Sequence, residues 1–199
     1  MKSQKIIGIT GGIGSGKSIV CKIFSTLNVL IYDADSRAKH LINNDVSLKK
    51  AIKNLLGENA YISTGEYNRT WVASKVFNNP DLLNQLNLLV HPCVKKDSHD
   101  WVKKYPKSPF LLYEAALMKS AGDQNMLEKV IVVNAPIDLR IKRIRERDNR
   151  SEQEVRNIIA RQISDEERLK IADYVIENDD KKSVLEQVLA LYEKISRSN

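Results

Sequence analysis

The 199-residue chain carries only two cysteines, Cys21 and Cys93, and no C-x-x-C pair. That excludes a disulfide scaffold and the usual zinc spacings, and it points to a reducing compartment in which Cys21 is an ordinary buried thiol. No apolar run approaches the roughly 20 residues that cross a bilayer. The first apolar segment opens a few residues after Met1, leaving no room for a signal peptide. A cytoplasmic protein without a membrane partner is expected. Internal repeats, low-complexity stretches and linkers are also lacking, so one compact domain with appendages is expected. Aromatics make up 6% of the chain, and there is neither an RNP-like aromatic strand nor a Lys-rich tail. Thirty-two Lys and Arg against 25 Asp and Glu leave a net charge of +7, which therefore reads as suited to nucleotides rather than to nucleic acid. A switch-type GTPase is excluded as well: no glycine follows Asp by three positions, and no Asn-Lys pair exists.

What the chain does contain is Gly11-Gly12-Ile13-Gly14-Ser15-Gly16-Lys17-Ser18, a complete G-x-x-x-x-G-K-S phosphate-binding loop. It lies between an apolar strand, Ile6 to Thr10, and an amphipathic helix opening at Lys17, in the order the motif requires. Glycines tolerate positive φ and let backbone N–H groups turn toward phosphates, while the helix start presents its positive dipole end. The motif thus predicts nucleoside triphosphate binding by Gly12, Ile13, Gly14, Ser15, Gly16, Lys17, Ser18 and Ile19. Lys17 reaches the β- and γ-phosphates, and Ser18 is the expected Mg2+ ligand. Ile19, Ile23, Phe24 and Leu27 are expected to form the helix's apolar face.

Further buried strands are read at Val29–Tyr32, Pro109–Tyr113, Lys129–Val133 and Tyr174–Ile176, alternating with helices. This predicts an α/β fold of the P-loop kinase type: a five-stranded parallel sheet covered on both faces, with ligands at the carboxyl ends of its strands. Between Asp45 and Tyr105 no strong strand pattern occurs, so a helical subdomain is expected at about 36–106, inserted into a core of 1–35 and 107–199. Its helices are expected near 48–56, 70–77 and 80–105, with Asn79 and Pro80 starting the last and Pro92 breaking or kinking it after His91. Ser151-x-x-Glu154 and Ser164-x-x-Glu167 are capping boxes. Val184 to Ile195 closes the chain as an amphipathic helix.

Two acids follow apolar strands. Asp33 suits accepting a hydroxyl proton or orienting that hydroxyl, and equally suits capping the next helix. Glu114 suits holding magnesium through water or bracing the subdomain. Asp35 reads as a first-turn helix acid. Arg140, Arg143 and Arg147 recur at i, i+3 and i+7, followed by a break at Asn149-Arg150, the pattern of a lid over about 140–170 that brings cations to a transferring phosphoryl group. A solvated, salt-bridged helix fits the same pattern. Arg156 and Arg161 are weaker candidates for the same phosphates.

Taken together, the loop, the Asp33-Ala34-Asp35 turn, Leu86-Asn87-x-x-x-His91-Pro92, Glu114, the arginine helix and Ala172-Asp173-Tyr174-Val175-Ile176-Glu177-Asn178 resemble the dephospho-coenzyme A kinase family over nearly the full length. The turn and the His-Pro segment are specific to it, whereas the loop marks only the superfamily. The resemblance implies transfer of the ATP γ-phosphoryl group to the ribose 3′-hydroxyl of dephospho-CoA. It implies Asp33 as base or orienting group, and Arg37 and His91 on the dephospho-CoA side. Arg143 and Arg147 fall in the lid, and Asn178 lies near adenine. The family's usual threonine after the loop serine is Ile19 here, and Phe110-Leu111-Leu112 replaces its Pro-Leu-Leu. A monomer or small homo-oligomer is expected. The alternatives are another small-molecule kinase, of the nucleoside monophosphate or shikimate type, and an ATP-binding RNA or sensor module.

Overall fold

A computed structural model describes residues 4–105, 108–116, 118 and 125–197. The chain forms two compact units, one made of Met1–Tyr32 with Pro106–Asn199, the other of Asp33–Tyr105. The expected boundary at 106 and 107 falls outside the described residues.

In the first unit, β-branched and leucine-rich runs form β1 (Ile6–Gly11), β2 (Leu30–Asp33, whose last residue opens the second unit), β3 (Leu111–Glu114), β4 (Lys129–Asn134) and β5 (Tyr174–Glu177). The strand order is β2-β3-β1-β4-β5, which places β1 centrally. Parallel pairing sets Ile9 opposite Glu114 on one side and Gly11 opposite Val133 on the other. β5 continues the sheet, with Ile176 opposite Val133. Successive strand side chains alternate between faces, so Ile7, Ile9, Leu112, Ile131, Val133 and Ile176 share one core with helices α1 (Lys17–Thr26) and α9 (Val184–Arg197). α1 meets that core through Val20, Cys21 and Phe24. Ile23 and Leu27 pack at its edge, as the sequence pattern implied, but Ile19 is 57% exposed. At 100° per residue, the stripe through 20, 21 and 24 turns position 19 outward, at the helix's first turn beside the phosphate loop.

α6 (Ile137–Asp148) ends at Asn149, whose φ of 51° gives the left-handed stop that the sequence pattern placed there. α7 (Glu152–Ala160) and α8 (Asp165–Lys170) each begin with a complete capping box. Ile141, Ile144 and Val155 form a small core of their own, against which Ile13 and Ile159 pack.

The second unit is helical: α2 (Ala34–Asn44), α3 (Val46–Leu56), a 3₁₀ turn over Glu58–Ala60, α4 (Arg69–Val76) and α5 (Pro80–Lys103). Leu48, Ile52, Val72, Leu86, Val90 and Val94 are among its buried apolar residues. Asn79 caps α5 by accepting from the Leu82 N–H at 3.0 Å, with Pro80 at its first position. The expected break at Pro92 does not occur, because α5 runs through it. Proline removes the N–H that would bond the carbonyl four residues earlier, and Leu88 is 65% exposed, so that carbonyl can be hydrated instead.

Ser151 and Ser164 donate backbone N–H bonds to Glu154 and Glu167, and these, followed by bonds from the serine hydroxyls, hold both carboxyls below their ordinary value of 4.5. A depressed folded pKa stabilises fully above the unfolded value, and that contribution is lost as pH falls through the folded value. The double variant Glu154→Gln/Glu167→Gln should therefore melt below the wild type at pH 7, and by a smaller margin at an acid pH well below 4.5. An equal difference at both pH values would contradict this.

Candidate functional site

Five glycine-rich residues after β1 have their carbonyls turned onto partners in the same unit. Gly12 accepts from the Ser15 N–H at 3.0 Å, and Gly16 accepts from Ile19 and Val20 at 2.9 and 3.2 Å. Ile13 accepts from Arg140 Nε at 2.8 Å, and Ser15 accepts from Asn178 Nδ2 at 2.8 Å. Gly14 receives a longer bond of 3.4 Å from Arg143 Nη1. Carbonyls fixed on one side leave the amides trans to them on the other. Lys17 and Ser18 open α1, where N–H groups have no intrahelical acceptor. The Ile13 and Ser15 N–H groups are already taken, by Gln162 Oε1 and the Gly12 carbonyl, so the row of donors at this positive helix end, an anion site, is that of Gly14, Gly16, Lys17 and Ser18.

Gly14 and Gly16 sit at φ 77° and 89°. A Cβ on Gly14 would lie 2.8 Å from the Arg140 carbonyl oxygen and 3.1 Å from its Cα, and one on Gly16 would collide with Asn178 Nδ2. The loop is therefore built against its supports with no room for side chains at these two positions.

The three arginines spaced along α6 fall on a gradient of exposure, with side chains 2%, 25% and 63% exposed at Arg140, Arg143 and Arg147. Arg140 is wholly internal, and its Nη1 donates to both oxygens of Asp165 at 2.7 Å. Asp165 also accepts from buried Arg168 at 2.6 Å. Burial, reinforced by the nearby Arg140 charge, pulls the Arg168 guanidinium below its ordinary range. Two cations thus share one carboxylate behind the loop. Arg143 Nη2 bonds the Asn178 carbonyl, its Oδ1 and Asp180 Oδ1 at 3.2, 3.1 and 2.5 Å. Arg147, the most exposed of the three, forms two bonds to adjacent Asp148 at 2.7 and 2.9 Å.

Lys17 Nζ pairs with Glu114 Oε1. Ser18 is exposed at the start of α1. These hydroxyl and carboxylate oxygens are hard donors of the kind magnesium takes alongside water and substrate phosphates. Among the described residues no group of three or more His, Cys, Asp or Glu is placed to hold a metal. Asn178 is buried, with both ends of its amide committed, one to Ser15 and one to Arg143.

In the second unit, Asp33 caps α2: Oδ1 accepts the Ser36 N–H at 3.0 Å and Oδ2 the Ser36 hydroxyl at 2.5 Å. These two bonds fix the rotamer of the carboxylate. Arg37 forms a bidentate pair with Asp97 at 2.8 and 2.6 Å, tying α2 to α5. His91 is exposed in the middle of α5, neither a cap nor a core residue. Gln162, Asp165 and Arg168, all of which shape the loop or its surroundings, carry no sequence signal of that role. The only local signal near them is the Ser164 capping box, which marks a helix start and says nothing of what its first residues bind.

The family model described as dephospho-CoA kinase matches residues 5–183. A dephospho-CoA kinase of Porphyromonas gingivalis (strain ATCC BAA-308 / W83) is 36% identical over 190 residues, covering 95% of this chain and 93% of its own. One of Bacteroides fragilis (strain YCH46) is 34% identical over 193 residues, covering 95% and 94%. The crystal structure of TT1252 from Thermus thermophilus superposes with a TM-score of 0.85 at 30% identity, covering 97% of this chain and 98% of that one.

Gly14→Ala should weaken ATP binding at least about tenfold, since left-handed backbone costs an L-residue about 1–2 kcal/mol and the Arg140 backbone cannot yield to the new methyl group. Calorimetric titration with ATP measures this, and wild-type affinity in a folded variant would contradict it.

Proposed function

The chain belongs to the dephospho-CoA kinase family, and from that premise we propose how its own residues transfer the γ-phosphoryl group of ATP to the ribose 3′-hydroxyl of dephospho-CoA. The enzyme is a phosphotransferase of coenzyme A biosynthesis. The observation that carries the mechanism is the phosphate loop with every carbonyl from Gly12 to Gly16 held by a donor.

The loop amides and Lys17 bind the triphosphate, with Lys17 leaving Glu114 for the β- and γ-phosphates. Ser18 would hold magnesium, whose charge would offset that on the phosphate oxygens, and Glu114, released from Lys17, would hold it through water. Asp33, its rotamer fixed by Ser36, orients the acceptor hydroxyl and takes its proton as the new P–O bond forms and the bond to ADP breaks. Arg37 and His91 contact dephospho-CoA. Arg143 and Arg147 belong to a lid over 140–170; of these Arg147, tied among the described residues to its exposed neighbour Asp148, is the one suited to swing onto the equatorial oxygens. Asn178, beneath the loop, positions the segment beside adenine. No described helix is long and apolar enough to cross a membrane. The proposed setting is the cytoplasm, with the enzyme a monomer or small homo-oligomer.

Asparagine caps helices about as well as aspartate, so Asp33→Asn should fold normally while kcat falls at least about a hundredfold and ATP affinity holds. Turnover that survives this substitution would remove Asp33 from the reaction. Arg147→Ala should lower kcat more than it raises the dephospho-CoA KM, and a pure KM effect would take Arg147 out of the lid role. ADP release measured with dephospho-CoA, AMP, CMP and shikimate tests the acceptor; activity confined to a nucleoside monophosphate or to shikimate would overturn the assignment.

A further inference from the structure

Ile13 occupies the second position of the turn Gly12–Ser15, which Ser15 N–H closes on the Gly12 carbonyl at 3.0 Å. Gly14, at φ 77°, fills the third position, as a type II turn requires. The peptide between Ile13 and Gly14 is the one that can flip within such a turn, and the peptide before it carries the carbonyl that closes the turn, so turning either would change which loop amides face a phosphate. Both are held from outside the loop. Arg140 Nε donates to the Ile13 carbonyl at 2.8 Å, and Gln162 Oε1 accepts the Ile13 N–H at 2.9 Å. The Ile13 side chain enters the small core of Ile141, Ile144 and Val155. All three attachments come from the stretch between Arg140 and Gln162. Asp165, just beyond it, fixes the Arg140 guanidinium.

We propose that Gln162 is a positioning residue for the phosphate loop: by accepting the Ile13 amide it couples the turn between α7 and α8 to the tip of the loop, so that the amides of Gly14, Gly16, Lys17 and Ser18 stand ready for ATP. This rests on the reading of the loop as the ATP site and adds that the segment from 140 to 165 sets the loop's shape. Arg140 fixes the peptide after Ile13, and Gln162 fixes the one before it. With Gln162 removed, the Gly12–Ile13 peptide keeps only the Ser15 N–H on its carbonyl, so the bond that closes the turn loses its outside support while Ile13 keeps its apolar seat and its bond to Arg140. The loss therefore falls on ATP binding rather than on folding.

The test uses the full chain with Gln162→Met, which keeps the side chain's length without the acceptor, and Gln162→Ala in parallel, so that the result does not depend on how methionine packs. Gln162→Glu keeps an oxygen acceptor. The Ile13 amide is followed by ¹⁵N NMR, and ATP and dephospho-CoA are titrated separately by calorimetry. The Ile13 resonance should move in the Met and Ala variants and return toward its wild-type position in Gln162→Glu. The Met and Ala variants should bind ATP about tenfold more weakly, the scale of one lost hydrogen bond, with dephospho-CoA affinity unchanged. An Ile13 amide that does not respond to Gln162→Met, or one that responds without loss of ATP affinity, overturns the proposal. So does equal weakening of both ligands, which marks a general structural role. Because ATP binding is read without an acceptor, wild-type protein that binds ATP but transfers nothing to dephospho-CoA would fail the functional reading and leave this one standing.

Discussion

The site depends on one constraint: a backbone that offers its N–H groups to an anion must place its carbonyls somewhere else. Buried carbonyls need donors, so the anion site is made from behind, by whatever supplies them. Here the donors are Arg140 for Ile13, Asn178 for Ser15, Arg143 for Gly14, and the chain itself for Gly12 and Gly16. The side-chain donors come from α6 and the residue after β5, elements far away in sequence. The sheet makes this possible. β1 lies centrally, so the loop at its carboxyl end is flanked by the ends of β3 and β4, and Glu114 at the end of β3 meets Lys17.

The arginines of α6 show how one repeated residue type serves different ends. Position along the helix, not chemistry, separates Arg140, buried with Asp165 and Arg168, from Arg147, exposed beside Asp148. The two buried guanidiniums share the Asp165 carboxylate behind the loop, in surroundings that screen charge less than water does. Arg143 stands between these extremes, binding the loop, Asn178 and Asp180 together.

The parts legible in the sequence are those encoded locally. The apolar runs, the glycine-rich loop, the capping serines and the stop near Asn149 each announce themselves within a few residues, and the strands begin or end within about two residues of where the pattern puts them. Asp33 is legible as a strand-end acid that can cap a helix, and the structure shows the cap. The illegible parts depend on tertiary packing. No pattern distinguishes Arg140 from Arg147 until α6 is laid against Ile13. Gln162 and Asp165 look like loop and helix-start residues until the phosphate loop is folded beside them. Pro92 reads as a helix breaker because local chemistry says so, yet α5 runs through it, with the residue whose carbonyl loses its N–H partner, Leu88, exposed to solvent. Ile19 fits an apolar stripe by spacing and is turned outward because the sheet engages the neighbouring positions.

Phosphorus NMR of the product formed from ATP and dephospho-CoA tests the central claim most directly, that the loop hands its terminal phosphoryl group to a sugar hydroxyl. The account predicts ADP and a new phosphomonoester on the 3′-oxygen of the ribose, formed in equal amounts. ADP accompanied only by inorganic phosphate, with dephospho-CoA unchanged, or a phosphate at any other position of the acceptor, would contradict it.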